Sequence, residues 1–129
     1  MLESLRFMPL LGRILIAVLF LPSGFEKVTK FQANIDYTAQ HGLPVPAGAV
    51  GIAIVIELLG GLLLLVGYQT RLVAAIIAFY CLVAAFGFHH NFSDANEQIH
   101  FMKDLAIAGG LMQIVYFGAG PMSVDARAR

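Results

Sequence analysis

Charge is scarce in this chain. Only 12% of its 129 residues are Asp, Glu, Lys or Arg, against about 25% in an ordinary soluble domain. Eight acidic and eight basic residues cancel to a formal net charge of zero, so nothing points to a nucleic-acid partner or to bulk electrostatic steering. Cysteine is scarcer still: Cys81 stands alone. One cysteine excludes an internal disulfide, a dithiol relay, a c-type haem and an iron–sulfur cluster held by this chain alone. In the middle of an apolar run, a single thiol reads as inert packing. A cleavable leader is also missing from the pattern. The first apolar stretch contains Arg13 and no small-x-small site follows it, so it is expected to be a retained span.

What the chain has instead is apolar length. It is 59% hydrophobic, and four segments stand out, at about 8–25, 47–67, 72–88 and 102–117. All have helical length and none alternates like a barrel strand. The expectation is an all-α fold, a transmembrane four-helix bundle forming one domain over residues 1–129. Pro22 is expected to kink the first span. The stretch from Glu26 to Pro46 is polar and carries the turn signals Gly42, Pro44 and Pro46. Tyr68–Arg71 is a tight link, which makes spans two and three antiparallel neighbours. Arg6, Arg13, Arg71, Arg127 and Arg129 fall at one end, against Lys27, Lys30 and Lys103 at the other. That excess places both termini in the cytoplasm.

Glu57 interrupts the second span, AGAVGIAIVIELLGGLLLLVG. About twenty residues at helical rise cover roughly 30 Å, the thickness of a bilayer's hydrocarbon core. A carboxylate at that depth costs roughly 2.5–3.5 kcal/mol on insertion scales, and it survives by facing protein or water and finding a partner. Matching depths across the spans puts Tyr80 level with Glu57, with Gln113 and Arg13 about one turn further in. These four are candidate ligand or polar-core residues, able to hold a carbonyl or hydroxyl head group or to pass a proton. The competing reading is an intramembrane clasp, and Arg13 by itself also suits snorkelling to the interface.

A second polar cluster gathers at the opposite end: Lys27, His89, His90, His100, Lys103 and Asp104. His89 and His90 point about 100° apart on a helix. A metal or haem-edge site would therefore need one of them with His100 and Asp104. Interfacial anchoring, with ion pairs such as Lys27–Asp104, is the preferred expectation, and no metal site is assigned. Phe25, Phe31, Phe86, Phe88, Phe92 and Phe101 crowd the same end, as ordinary packing or as a mouth for a flat lipid-soluble ring. Gly60, Gly61, Gly109 and Gly110 suit close helix approach. The halves also echo each other weakly. Each has an Arg (Arg13, Arg71), then Gly-Phe, then an acid followed by Gly-Gly.

The segments RILIAVLFLPSGFEKV, IELLGGLLLLVGYQTR, FHHNF, FMKDLAIAGGL and GAGPMSVD follow one another along nearly the whole chain. In that order and spacing they resemble the DoxX family of small bacterial and archaeal membrane proteins. The matching positions are Arg13, Phe20, Gly24, Lys27, Glu57, Gly60, Gly61, Gly67 and Arg71. They continue with His89, Phe92, Lys103, Asp104, Gly109, Gly110, Ser123 and Asp125. The resemblance implies a four-helix inner-membrane bundle. It implies function only loosely. The family name comes from a small subunit of an archaeal complex that oxidises thiosulfate and reduces quinone, and other members resemble membrane partners of redox-stress or detoxification systems. With no cofactor motif, the chain resembles an accessory subunit more than a complete oxidoreductase. It would work in the bilayer beside redox partner proteins, with quinone as the candidate ligand. The alternatives are a small homo-oligomeric transporter or channel-like protein, or a scaffold without chemistry.

Overall fold

The computed structural model describes residues 2–88 and 95–127, and among them all regular structure is helical. A short 3-10 helix, Leu2–Leu5, precedes α1 (Met8–Thr29), α2 (Phe31–Gln40), α3 (Pro46–Val66), α4 (Thr70–Phe88), α5 (Ala95–Phe117) and α6 (Val124–Arg127). Among the described residues, α1, α3 and α4 are the helices long and apolar enough to cross a membrane. At 23 residues, α5 is as long. Its first turns carry Asn96, Glu97, His100, Lys103 and Asp104, so composition does not place it with the other three.

Helix boundaries follow local chemistry. Pro9 opens α1 and Pro46 opens α3, where a missing N–H costs nothing because the first turn has no acceptor for it. α1 runs through Pro22 without ending. Pro22 removes only the donor that the Val18 carbonyl would take in a regular helix. α3 stops at Gly67, whose φ of +77° is readily adopted by glycine alone. The Gly67 and Tyr68 N–H groups both donate to the Leu63 carbonyl, at 2.9 and 3.0 Å, closing the helix end. Gly118, φ +84°, ends α5 in the same way by donating to Ile114 at 2.8 Å.

The stretch 26–46 departs from its expected loop. Its first residues finish α1, and ten of the rest form α2. This helix lacks the apolar stripe that announces one in sequence, because it lies on the surface with Thr38 as its buried residue.

α1 lies along α3, and α4 along α5; α3 and α4 join the two pairs, while α2 rests on α3 and α1. The core is shared by Phe20, Leu64, Ala74, Ile77, Ala78, Cys81, Ala108 and Leu111. The outward faces are equally apolar. Leu15, Ile52 and Phe79 are 63%, 63% and 70% exposed, an arrangement that calls for lipid rather than water around it.

The four glycines expected at helix contacts divide. A Cβ on Gly60 would stand 3.1 Å from Ile77 of α4, and one on Gly61 2.9 Å from Leu21 of α1, so both sit where helices approach closely. Gly109 and Gly110 are exposed, and a Cβ on either would meet nothing within 4 Å. They do not pack a helix within this chain. The echo between halves acquires a structural counterpart. A Cβ on Gly67 would strike the Arg13 guanidinium, and one on Gly118 would lie 3.2 Å from Arg71 Nε. In each half the arginine of the first helix lies against the left-handed glycine that ends the second.

Candidate functional site

α1 buries Arg13, Ala17, Phe20 and Gly24, and α3 buries Val50, Ala53, Glu57, Gly60, Gly61 and Leu64. Both sets repeat at three and four residues, the stripe of a helix facing protein. Continuing the α1 stripe by three residues reaches Lys27. The two stripes meet at Gly24, where an added Cβ would stand 2.8 Å from Leu58 Cγ and 3.1 Å from Glu57 Cβ. This bare stretch of backbone lets α1 come close enough for Lys27 to reach the α3 carboxylate.

Glu57 is 2% exposed and has found partners on two helices. Tyr80 Oη of α4 donates to Oε2 at 2.6 Å. Lys27 Nζ of α1 lies 3.0 Å from Oε2 and 3.3 Å from Oε1, and also donates to Ser23 Oγ at 3.0 Å. A hydrogen bond to an ionised group is roughly twice as strong as a neutral one. Removing one member of a buried pair typically costs about 3–5 kcal/mol, because the other is left charged and alone. The carboxylate keeps lone pairs to spare, and Lys27 has a third N–H.

That capacity faces a cavity of about 450 Å³. Glu57, Tyr80, Lys27 and Ser23 line it with Asp104 of α5; Asn34, Tyr37 and Thr38 of α2 contribute polar groups at its far end. The rest of the wall is apolar, with Leu19, Phe20, Val50, Ala53 and Cys81 among it. Largely apolar walls with a few convergent polar groups are the usual make-up of a small-molecule site, and the volume lies within the common range of about 300–1,000 Å³.

The remaining candidates separate from this centre. Arg13 does not join Glu57. It is 1% exposed, and its guanidinium donates to four carbonyls: Leu64 at 3.1 Å, Leu65 at 2.8 Å, Ala119 at 3.1 Å, and Met122. Leu64 and Leu65 are end-of-helix carbonyls of α3 that lack an intrahelical donor, and Ala119 and Met122 belong to the segment after α5. Arg13 is therefore a buried clasp, held apart from Glu57. Asp125 completes the clasp, a role not visible in the sequence. Its carboxylate accepts the Gln69 and Thr70 N–H groups at 2.9 Å each, capping the start of α4.

Gln113 is exposed on α5 and contributes nothing to the Glu57 centre. Lys27 belongs to Glu57, in place of the expected ion pair with Asp104, although both line the cavity. His100 and Lys103 are exposed, while His89 and His90 lie outside the described residues. Among the described residues, no three His, Cys, Asp or Glu side chains converge where a metal ion would sit. Of the expected phenylalanine mouth, Phe25, Phe31, Phe86 and Phe101 do not line the cavity, while Phe92 and the Phe88 side chain lie outside what is described. Phe25 is 65% exposed, and Phe86 packs edge-on against Phe101 with ring centres 5.3 Å apart.

Lys27, Glu57 and Tyr80 all fall within residues 8–90, the stretch matched by the DoxX family model. The chain belongs to the DoxX family. Two Escherichia coli (strain K12) proteins share its sequence over most of their length. Inner membrane protein YqjF is 36% identical over 116 residues, covering 90% of this chain and 88% of that one. Inner membrane protein YphA is 32% identical over 123 residues, covering 92% and 88%. No solved structure gives a significant match. The DoxX assignment, these relatives and three apolar helices of spanning length make this an integral, multi-pass inner-membrane protein.

Proposed function

We propose that this DoxX protein is a non-catalytic accessory subunit of a membrane redox system, and that its cavity binds a lipid-soluble ring bearing oxygen substituents, of the quinone class. One observation carries the reading: Lys27, Glu57 and Tyr80 converge on a largely apolar cavity of about 450 Å³. A ring carbonyl suits the spare Lys27 N–H, and a ring hydroxyl suits the spare lone pairs of Glu57 or Tyr80. The apolar wall suits the ring. In this reading α5 is the fourth membrane helix of a four-helix bundle, and both termini face the cytoplasm beside the arginine-rich end. Redox partner proteins dock on the membrane surface. The bare backbone at Gly109 and Gly110 favours a second copy of the chain on α5, the arrangement on which a transporter-like alternative would depend.

The test is quinone binding by gently purified protein, compared with Glu57→Gln and Tyr80→Phe. Saturable binding weakened in both variants is expected. Equal binding in all three would remove these side chains from the role, and no binding in any would sink the quinone reading.

A further inference from the structure

The walls of the cavity are unequally distributed along the molecule. Its lining comes from the second half of α1, from α2, from the first half of α3, from the last turns of α4 and from Asp104. All of these lie toward the α2 end. Toward the termini the interior is closed: Ala17, Leu64, Ile77 and Leu111 are each at most 1% exposed, with the Arg13 clasp behind them. The hydrogen-bond chain has the same direction. From Tyr80 through Glu57 and Lys27 it ends at Ser23, and no described hydrogen bond extends it to Arg13.

The lining is also two-sided in character. Leu19, Ile52 and Val83 line the cavity and yet are 43%, 63% and 53% exposed. In a membrane-spanning helix that exposure is to acyl chains. Toward α2 the lining turns polar, with Asn34, Tyr37, Lys27 and Asp104. An opening that is apolar at its flank and polar at its top matches a molecule already dissolved in the bilayer, with its polar end at the interface.

We infer that the cavity is loaded laterally, from the half of the bilayer next to α2. The occupant is an amphipathic ring compound that enters past Leu19, Ile52 and Val83 and turns its oxygen-bearing end to Lys27 and Glu57. This rests on the cavity being a binding site but not on which ring occupies it. Among the described residues, the interior toward the termini is packed shut and offers no such route to Glu57.

Cys81 provides the reporter, because it is the chain's sole thiol and lines the cavity. Purified protein in lipid vesicles is treated with a lipid-dissolved maleimide or with a charged methanethiosulfonate applied to either face. A second reporter, Ala53→Cys in a Cys81→Ala background, repeats the measurement at another lining position. A thiol reacts only where the reagent reaches it, so the lipid-dissolved reagent is expected to label at least about tenfold faster than the charged one from either face. Ile52→Trp or Val83→Trp, which narrow the flank, should slow it by about tenfold, whereas Ile76→Trp on the termini side of α4 should leave the rate unchanged. Labelling by the charged reagent at a comparable rate would overturn lateral entry. So would failure of both thiols to react, or a rate that responds to Ile76→Trp and not to the flank variants. No ligand is needed, so lateral labelling without quinone binding would retain the portal and discard the quinone.

Discussion

Two charges are buried in this molecule to nearly the same degree, and they are handled in opposite ways. Arg13 is saturated by backbone: four carbonyls from two segments surround it. Glu57 is held by side chains, Tyr80 and Lys27, and retains hydrogen-bonding capacity toward an open volume. Backbone partners cannot turn away without moving the chain itself, whereas side-chain partners can turn toward something else. Exposure alone would rank the two residues together. Their partners tell them apart: backbone around Arg13, side chains and an open volume around Glu57.

The largest expected effect comes from breaking the first of the pair. Arg13→Ala leaves four carbonyls without their donor and frees the segment after α5. It should cost about 3–5 kcal/mol, read as unfolding in detergent, and Arg13→Lys should recover little because one ammonium cannot span four acceptors. Glu57→Gln comes next. It preserves shape, and its amide oxygen can still accept from the part-exposed Lys27, with an expected loss of about 1–3 kcal/mol and a larger relative loss of ligand binding. If Glu57→Gln destabilised as much as Arg13→Ala with binding untouched, the contrast would collapse and Glu57 would be a second clasp.

Tyr80→Phe removes one charge-assisted bond and is expected to cost about 1–2 kcal/mol; with Glu57→Gln in a double-mutant cycle, the losses should be less than additive. Asp125→Asn, at the far end, weakens the α4 cap by about 0.5–1 kcal/mol and should leave ligand binding as it was. Gln113→Leu closes the series with no measurable change in either property. A binding defect there would bring α5's exposed face into the site.

These contrasts also show what the sequence could reveal. The apolar runs announced the helices within a few residues at most ends, and one acid within such a run marked the site. Matching depth found Tyr80 correctly. It failed for Gln113 because depth says nothing of rotation: Gln113 is two residues, about 200° of helix, beyond the buried Leu111. It failed for Arg13 because α1 is set in a different register along α3. Gly24 is the α1 residue that touches Glu57, and Arg13 lies eleven residues before it, about 16 Å at helical rise. Lys27 was within reach of inference, since it continues the stripe of Arg13, Ala17, Phe20 and Gly24, but its place at the end of an apolar run made it read as interfacial. α2 and the Asp125 cap were hidden for a different reason. One rests on a surface and the other on a contact between distant segments, and neither leaves a periodicity.

The Arg13 clasp has a consequence in time. Arg13 is synthesised 106 residues before Ala119, which accepts its Nε–H. At about 5–20 residues per second, the guanidinium waits on the order of 5–20 s for that partner and longer for Met122. For about the second half of that interval α1 and α3 can already lie together in the bilayer, with Leu64 and Leu65 as provisional acceptors. This late contact ties α1 to the segment after α5, and a nascent chain stalled before residue 119 would be inserted but not latched.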